Sequence, residues 1–511
     1  MRRFLPIFLL LFSVLLFGII GTGGGNRLSV YLVPADVLDT LMAERTETWD
    51  LLVTEISIDQ FPLMYDCLED RWFYSISENA RNRSDPFISY EVQGGLSAVK
   101  LAFDGSGMEG RLLAFTEDSY HLYHLVTTTL PLINIEHHHD IPYSDEVPMT
   151  MTLFDNRANA ERAVITSDGT IHLRGNSTAV YPKHSYKMTL TTRSDGRSTR
   201  PNNLSLLGMR QDNDWQLYAA YNDQEKIRNV FSSNLWFETC ARNNRLGLEN
   251  GNEYRYVELF LNHEYTGLYA LGFPIGKQQL ALDDGEVLYK KINWKDTADG
   301  YELKFGDPEQ AWALLREYDQ LLIDGEPEKV RPAADMDNAI DIWLFTMLMQ
   351  GTDHLHPHGQ YRNYYLTFKA VRDGYLLIYT PWDMDMTWGN AWDADAKNYL
   401  LPYVMNAEDN SWQMTRNPAA ILLSSEEPEM KKRVSERYAE LRAGAWSEEA
   451  LDRMLERFEQ QIFDSGAYER ERSRWPDGNY LEADQEQNLS LFRAYVQQRL
   501  RSMDEFMETM K

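Results

Sequence analysis

The chain has 511 residues, 43% hydrophobic and 12% aromatic, enough to bury a large core spread over about two to four domains. Its net charge of −28 argues against nucleic acid or an anionic membrane face as the main partner, because both reward basic patches. With only Cys67 and Cys240 a disulfide scaffold is excluded, and two buried free thiols are expected.

Residues 1–25 read as a targeting segment: Arg2 and Arg3 precede an apolar run over 4–20, followed by Gly21-Thr-Gly-Gly-Gly25. The small-residue tail suits a cleaved signal peptide and the length of the run suits an uncleaved membrane anchor; both stay open. Either way the body is expected to be exported, to the cell surface or beyond. Residues 27–127 alternate short strand-like runs, at 29–33, 72–76, 87–92 and 111–115, with turn signals and one helix over 35–45. They read as a β-rich accessory domain without chemistry of its own, a spacer or docking module.

The remainder, 128–511, carries the chemistry. A strand from Leu130 ends in His137, His138 and His139, which alternate faces, so a solvated turn is expected rather than a metal site. Strands over 149–154 and 163–166 precede Thr170-Ile-His-Leu-Arg174, which runs into Arg174-Gly-Asn-Ser-Thr178 and returns as Ser185-Tyr-Lys-Met-Thr-Leu190. A strand, a small polar loop with Gly and a strand carrying Lys can cover a nucleotide's phosphates with N–H groups and an ammonium. Arg174, Asn176 and Ser177 belong to that loop. Lys187, fixed by its strand, is favoured for the phosphate role, with Lys183 beside Pro182 as the alternative.

A helix is expected over 223–240, with Asp223 as its cap and Ile227, Val230, Phe231 and Leu235 on one apolar face. Glu225 and Glu238 are its candidate partners for the phosphate lysine. Strands over 256–261 and 265–271 turn at Asn262-His263, a β-rich arm covers 283–305, and helices follow over 309–323 and 336–350. From about 418 to 511 the pattern is helical packing, with helices over 429–441, 447–463 and 488–510 and the mixed charges on solvated faces.

The most informative stretch is Tyr379-Thr-Pro-Trp-Asp-Met-Asp-Met-Thr-Trp-Gly389. Pro381 stops the apolar strand before it. If extended geometry continues, Asp383 and Asp385 share a face and Trp382, Met384 and Met386 share the other, which suits a hard divalent cation. Upstream, an apolar helix ends near Gly351, Asp353 follows at once, and Asn363 opens a strand ten positions later. The order helix, Asp, loop, Asn, strand, strand, Asp is that of a protein kinase's catalytic base, metal-binding Asn and metal-binding Asp. His354, His356 and His358 in the intervening loop could line a transition-metal site, though a flexible polar loop is the simpler reading.

The pieces Arg174-Gly-Asn-Ser-Thr178, Tyr256-Val-Glu-Leu-Phe-Leu-Asn-His-Glu-Tyr-Thr-Gly-Leu-Tyr269, Gly351-Thr-Asp353, Asn363-Tyr-Tyr-Leu366 and Pro381-Trp-Asp-Met-Asp-Met-Thr-Trp-Gly389 resemble, in order, the motifs of the spore coat protein CotH family of atypical kinases. The resemblance implies an α+β, atypical protein-kinase-like bilobal fold with the β-rich accessory domain in front and a helical C-terminal extension. It implies transfer of the γ-phosphate of ATP to Ser/Thr hydroxyls of a protein substrate. In that scheme Asp353 is the catalytic base, Asn363, Asp383 and Asp385 hold Mg²⁺ (or Mn²⁺), and Lys187 neutralises charge on the phosphates. At Phe273 the chain departs from the family, which places a Glu nearby, so altered nucleotide preference or an inactive surface-assembly protein is the competing expectation.

Overall fold

The computed structural model describes residues 30–58, 61–76, 88–93, 99–105, 109–175, 180–194, 198–356, 359–393, 399–425 and 427–510. It is an α+β protein with ten α-helices among the described residues. Residues 1–29, which contain the expected targeting segment, lie outside them, and no described helix is long and apolar enough to cross a membrane.

The amino-terminal strands form a seven-stranded mixed sheet and a three-stranded sheet, with one helix, Ala35–Ala43, packed on the first. They do not stand free of the rest. Phe61, Met64, Phe73 and Val126 share an apolar cluster with Leu132, Phe154, Phe260 and Tyr265, and Phe73 stacks on Tyr265 at 5.1 Å. Cys67 is exposed and only Cys240 is buried, so the expectation of two buried thiols fails for the first; its N–H donates to His263 O across this junction (2.9 Å).

The next strands close on themselves. The order Val164–Arg174, Val147–Phe154, Leu132–His137, Tyr254–Leu261, Glu264–Gly272, Asp214–Tyr218, Ser185–Ser194 returns to its start because Ser185–Ser194 also pairs with Val164–Arg174. Closure leaves no open edge among these seven strands. Alternation then sorts the side chains: Tyr186, Met188, Leu190, Trp215, Leu217, Val257, Leu259, Tyr269 and Leu271 fill the barrel, while Lys187, Gln216, Tyr218 and Tyr254 sit on the alternate positions. The two expected strands 163–166 and 170–174 are one strand, because Gly169 lets the chain pass Thr189 O where a Cβ would lie 2.4 Å away. Phe273 is buried in the barrel, edge-on to Phe237.

Beyond the barrel, Tyr301–Phe305, Val287–Lys291, Tyr364–Val371 and Gly374–Pro381 make a four-stranded antiparallel sheet against the helix Met336–Met349, every residue of which is buried except Asp337. The helix expected over 223–240 begins only at Arg228, because Ala220 and Lys226 take left-handed backbone conformations that no helix continues through. Asp223 still serves its first turn, accepting from Arg228 N at 2.6 Å.

The C-terminal region is more than packing. Its helices include Ala467–Arg474, which the sequence pattern did not signal, and this helix carries buried charge into the barrel. Arg470 donates to both oxygens of Glu258 (2.9 and 2.6 Å), and Glu471 meets Lys183 at 2.7 Å. Gly267, opposite Glu471, makes that approach possible, since a Cβ there would lie 2.3 Å from the carboxylate. Arg470→Met should cost about 3–5 kcal/mol of unfolding free energy, because Glu258 would be left as an unpaired buried carboxylate. Urea unfolding followed by tryptophan fluorescence measures this, and adding Glu258→Leu should recover most of the loss if charge rather than packing is responsible.

Candidate functional site

The site forms where the hairpin Tyr364–Val371/Gly374–Pro381 opens. Tyr364 and Pro381 are its last register pair, so Asn363 and Trp382 face each other beyond it, and the Trp382 N–H donates to Asn363 O (3.1 Å). The strand Val287–Lys291 adds a second tie, Asn363 N–H to Lys291 O at 3.0 Å. Asn363 (φ 61°) and Asp383 (φ 59°) are both left-handed. The extended alternation expected for Trp382–Met386 therefore does not continue: Met384 and Met386 are buried, Met384 in the main helical core, whereas half-buried Trp382 packs on Tyr365.

Asp353 reaches the same place from the other side. The helix Met336–Met349 ends with Gln350 in a left-handed conformation, and Thr352 Oγ1 donates to Met386 O (3.2 Å) and Asn390 O (2.9 Å), tying the helix end to the acidic loop. One carboxylate oxygen of Asp353 accepts from Arg362 and the other from Asn363 Nδ2 at 2.9 Å. With Nδ2 used as a donor, the ligand atom that Asn363 can offer a cation is Oδ1.

His354 is fully buried, its Nε2 on Trp382 O at 3.0 Å, and burial lowers its ring to about 4, so it stays neutral near pH 7. His356 lies against the Trp294 ring and His358 is outside the described residues. The expectation of a flexible histidine loop is overturned at His354, which pins the acidic loop. A histidine metal site finds no support: among the described residues no three His, Cys, Asp or Glu side chains are arranged to hold an ion.

Asp383 and Asp385 lie together, with Asp223 near them. Burial, then Asp383, then Asp223 hold the Asp385 carboxyl well above the usual carboxylate range. Neither Asp383 nor Asp385 has a Lys or Arg within 4 Å among the described residues, although Arg362 lies in their field. Two adjacent carboxylates without a cationic partner, plus one amide oxygen, form an oxygen donor set that fits a magnesium-like ion, which takes few protein ligands and keeps water or phosphate for the rest.

Cationic side chains approach from the barrel and the hairpin sheet. Arg174 donates to Gln216, and its charge acts on Tyr254, Lys290 and Tyr365 together with that of Asp383. Lys187 is about a third exposed and stands 3.4 Å from Asp214. Lys183 is placed differently: fully buried, it spends its three donors on Ala219 O, Leu268 O and Glu471, so it has none for a phosphate. Neither expected helix acid meets a phosphate lysine. Glu225 is buried against Arg228 and accepts from Tyr403 OH, and exposed Glu238 faces Arg457. Asn176 and Ser177 lie outside the described residues.

Three groups escaped sequence reasoning. Asn229 Oδ1 accepts from Met384 N (2.9 Å) and fixes the acidic loop from the barrel side. Arg362 holds Asp353. Lys290 places its Nζ 3.7 Å from the Trp382 ring centroid; burial and then Arg174 pull it down to about 8, against Asp383.

The family described as CotH kinase protein matches residues 171–503, a span that includes every residue of this site. A search of curated proteins returns no match. Because the matched span exceeds half the chain, the protein belongs to the CotH kinase protein family.

Proposed function

We propose that the protein is an exported atypical protein kinase that transfers the γ-phosphoryl group of ATP to Ser or Thr hydroxyls of surface or extracytoplasmic proteins. The observation that carries this reading is the meeting of Asp353, Asn363 and the unpartnered Asp383/Asp385 pair at one end of a hairpin. The apolar run near the amino terminus supports export. The barrel would be one lobe, and the hairpin sheet with its helices the other.

In this mechanism Asp353 is the base. The acceptor hydroxyl oxygen attacks the γ-phosphorus and its proton passes to the Asp353 carboxylate. The bond from the γ-phosphorus to the β–γ bridging oxygen breaks, and ADP leaves. Arg362 and Asn363 Nδ2 orient Asp353 beforehand. Asn363 Oδ1, Asp383 and Asp385 would hold Mg²⁺ or Mn²⁺, which when bound neutralises charge on the phosphates. Arg174 and Lys187, with the loop that includes Asn176 and Ser177, would approach the phosphates from the barrel side.

Supplying ATP labelled separately at the α- and γ-phosphates to the purified protein tests the reading. Label from the γ-position should enter Ser or Thr of an acceptor protein and should disappear with EDTA. Asp353→Asn and Asp383→Ala should each lower the rate by about 10²–10⁴-fold with the fold retained by circular dichroism. Label from the α-position would replace this reading with nucleotidyl transfer. No label from either position, with no nucleotide-dependent change in Tm, would leave a surface-assembly protein.

A further inference from the structure

The four buried lysines of the described residues all spend ammonium donors inside the protein. Lys183 bonds Ala219 O, Leu268 O and Glu471; Lys226 bonds Tyr221 O and Asn479 O; Lys291 bonds Lys295 O and Asp296; Lys369 bonds Ala281 O and Glu286. Lys290 is mostly enclosed and does none of this. Its ammonium lies over the Trp382 face at 3.7 Å, with no carboxylate within 4 Å and no hydrogen-bond acceptor in reach among the described residues. A cation–π contact holds a lysine in place without using up its N–H donors.

Its position is equally specific. Lys290 sits in register with Tyr365 on the strand whose next residue, Lys291, accepts the Asn363 N–H, so the same hydrogen-bond ladder places Lys290 and the acidic loop. The charged groups that act on it are Arg174 from the barrel, Asp383 from the loop, and Glu302 and Lys304 from the neighbouring strand. Two cations, Arg174 and Lys290, thus share the field of Asp383, one of the two acids that lack a cationic partner. An anion bound between them would find donors on one side and a cation held by Asp383 and Asp385 on the other.

We propose that Lys290, with Arg174, is the phosphate-binding cation pair of this site, and that Lys290 contacts the terminal phosphates of the bound nucleoside triphosphate. The assignment rests on the kinase reading for the nucleotide, but the anion site itself does not. It adds Lys290 to Lys187, whose ammonium already has Asp214 nearby.

The test is equilibrium binding by calorimetry of Mg·ATP and, separately, of Mg·tripolyphosphate to wild type, Lys290→Met, Lys290→Arg and Lys187→Met, each checked by its Tm without ligand. Lys290→Met should weaken both ligands by about 10–100-fold, the range for removing a charge-assisted hydrogen bond, and Lys290→Arg should recover a large part of it. If wild type binds tripolyphosphate but not ATP, and Lys290→Met loses it, the anion site stands and the kinase reading falls. Unchanged affinity for both ligands in Lys290→Met, or no binding of either by wild type, overturns the proposal. So does a loss seen only in Lys187→Met. Should Lys290→Met fail to fold, the arginine variant decides: retained affinity supports the charge, and lost affinity with an unchanged Tm counts against it.

Discussion

The hydrogen bond from the Trp382 N–H to Asn363 O is the constraint on which the site depends. It continues the hairpin one step past its last regular pair, to the point where both strands turn left-handed, at Asn363 and at Asp383. Asn and Asp adopt that region more cheaply than other non-glycine residues, since their short polar side chains can bond locally. The Asn363 side chain bonds further away, through Nδ2 to Asp353 ten positions upstream. One backbone contact thereby sets two side chains, those of Asn363 and Asp383, and each left-handed residue still carries strain that the surroundings must hold.

Those surroundings are buried amides and hydroxyls. Asn338 bonds both the N–H and the C=O of Tyr379 (2.8 and 3.0 Å), Asn250 adds a second donor to the same carbonyl, and Asn229 takes the Met384 N–H. Ser232 accepts from Trp388 Nε1, and Thr387 Oγ1 donates to Met384 O. A loop buried this deeply has backbone groups that water cannot reach, so each needs a protein partner. This explains why the helix Arg228–Thr239 carries polar residues yet is buried from Arg228 to Trp236. Its Asn and Ser residues act as fixed partners for an irregular loop, where apolar residues would leave that loop's donors and acceptors unpaired.

The sequence carried the parts of this arrangement that depend on local order. Alternation in Ser185–Leu190, the apolar run of Met336–Met349 and the strand stop at Pro381 are all present as read. The order of Asp353, Asn363 and Asp383 was legible for the same reason. Positions set by tertiary pairing were not. Asp-x-Asp spacing suggests a shared strand face, but the left-handed turn at Asp383 cannot be inferred from spacing. The strand position favoured Lys187 over Lys183, but that Lys183 is a structural cation follows only from the arrival of Glu471, 288 positions away. Lys290, within Tyr289-Lys-Lys291, has the pattern of a solvated strand lysine, and Trp382 reaches it only through the pairing of that strand with Tyr364–Val371.

The C-terminal helix Ala467–Arg474 adds the last constraint. Along the barrel strand Glu264–Gly272 it satisfies Leu268 N with Glu471, Tyr265 O with Arg474 and Thr266 O with Trp475, while Arg470 pairs with Glu258 on the next strand. Buried ion pairs such as these contribute little net stability, because desolvation offsets their attraction, but a shifted register would strand each charge at high cost. The helix therefore has one place to dock, fixed by the bare backbone at Gly267. Through Lys183 and Ala219 that docking reaches the segment just before Asp223 and the helix of Asn229. Barrel, acidic loop and C-terminal helices are thus tied into one geometry, so the positions of Asp353, Asn363 and Asp383 depend on pairings made far away in the chain.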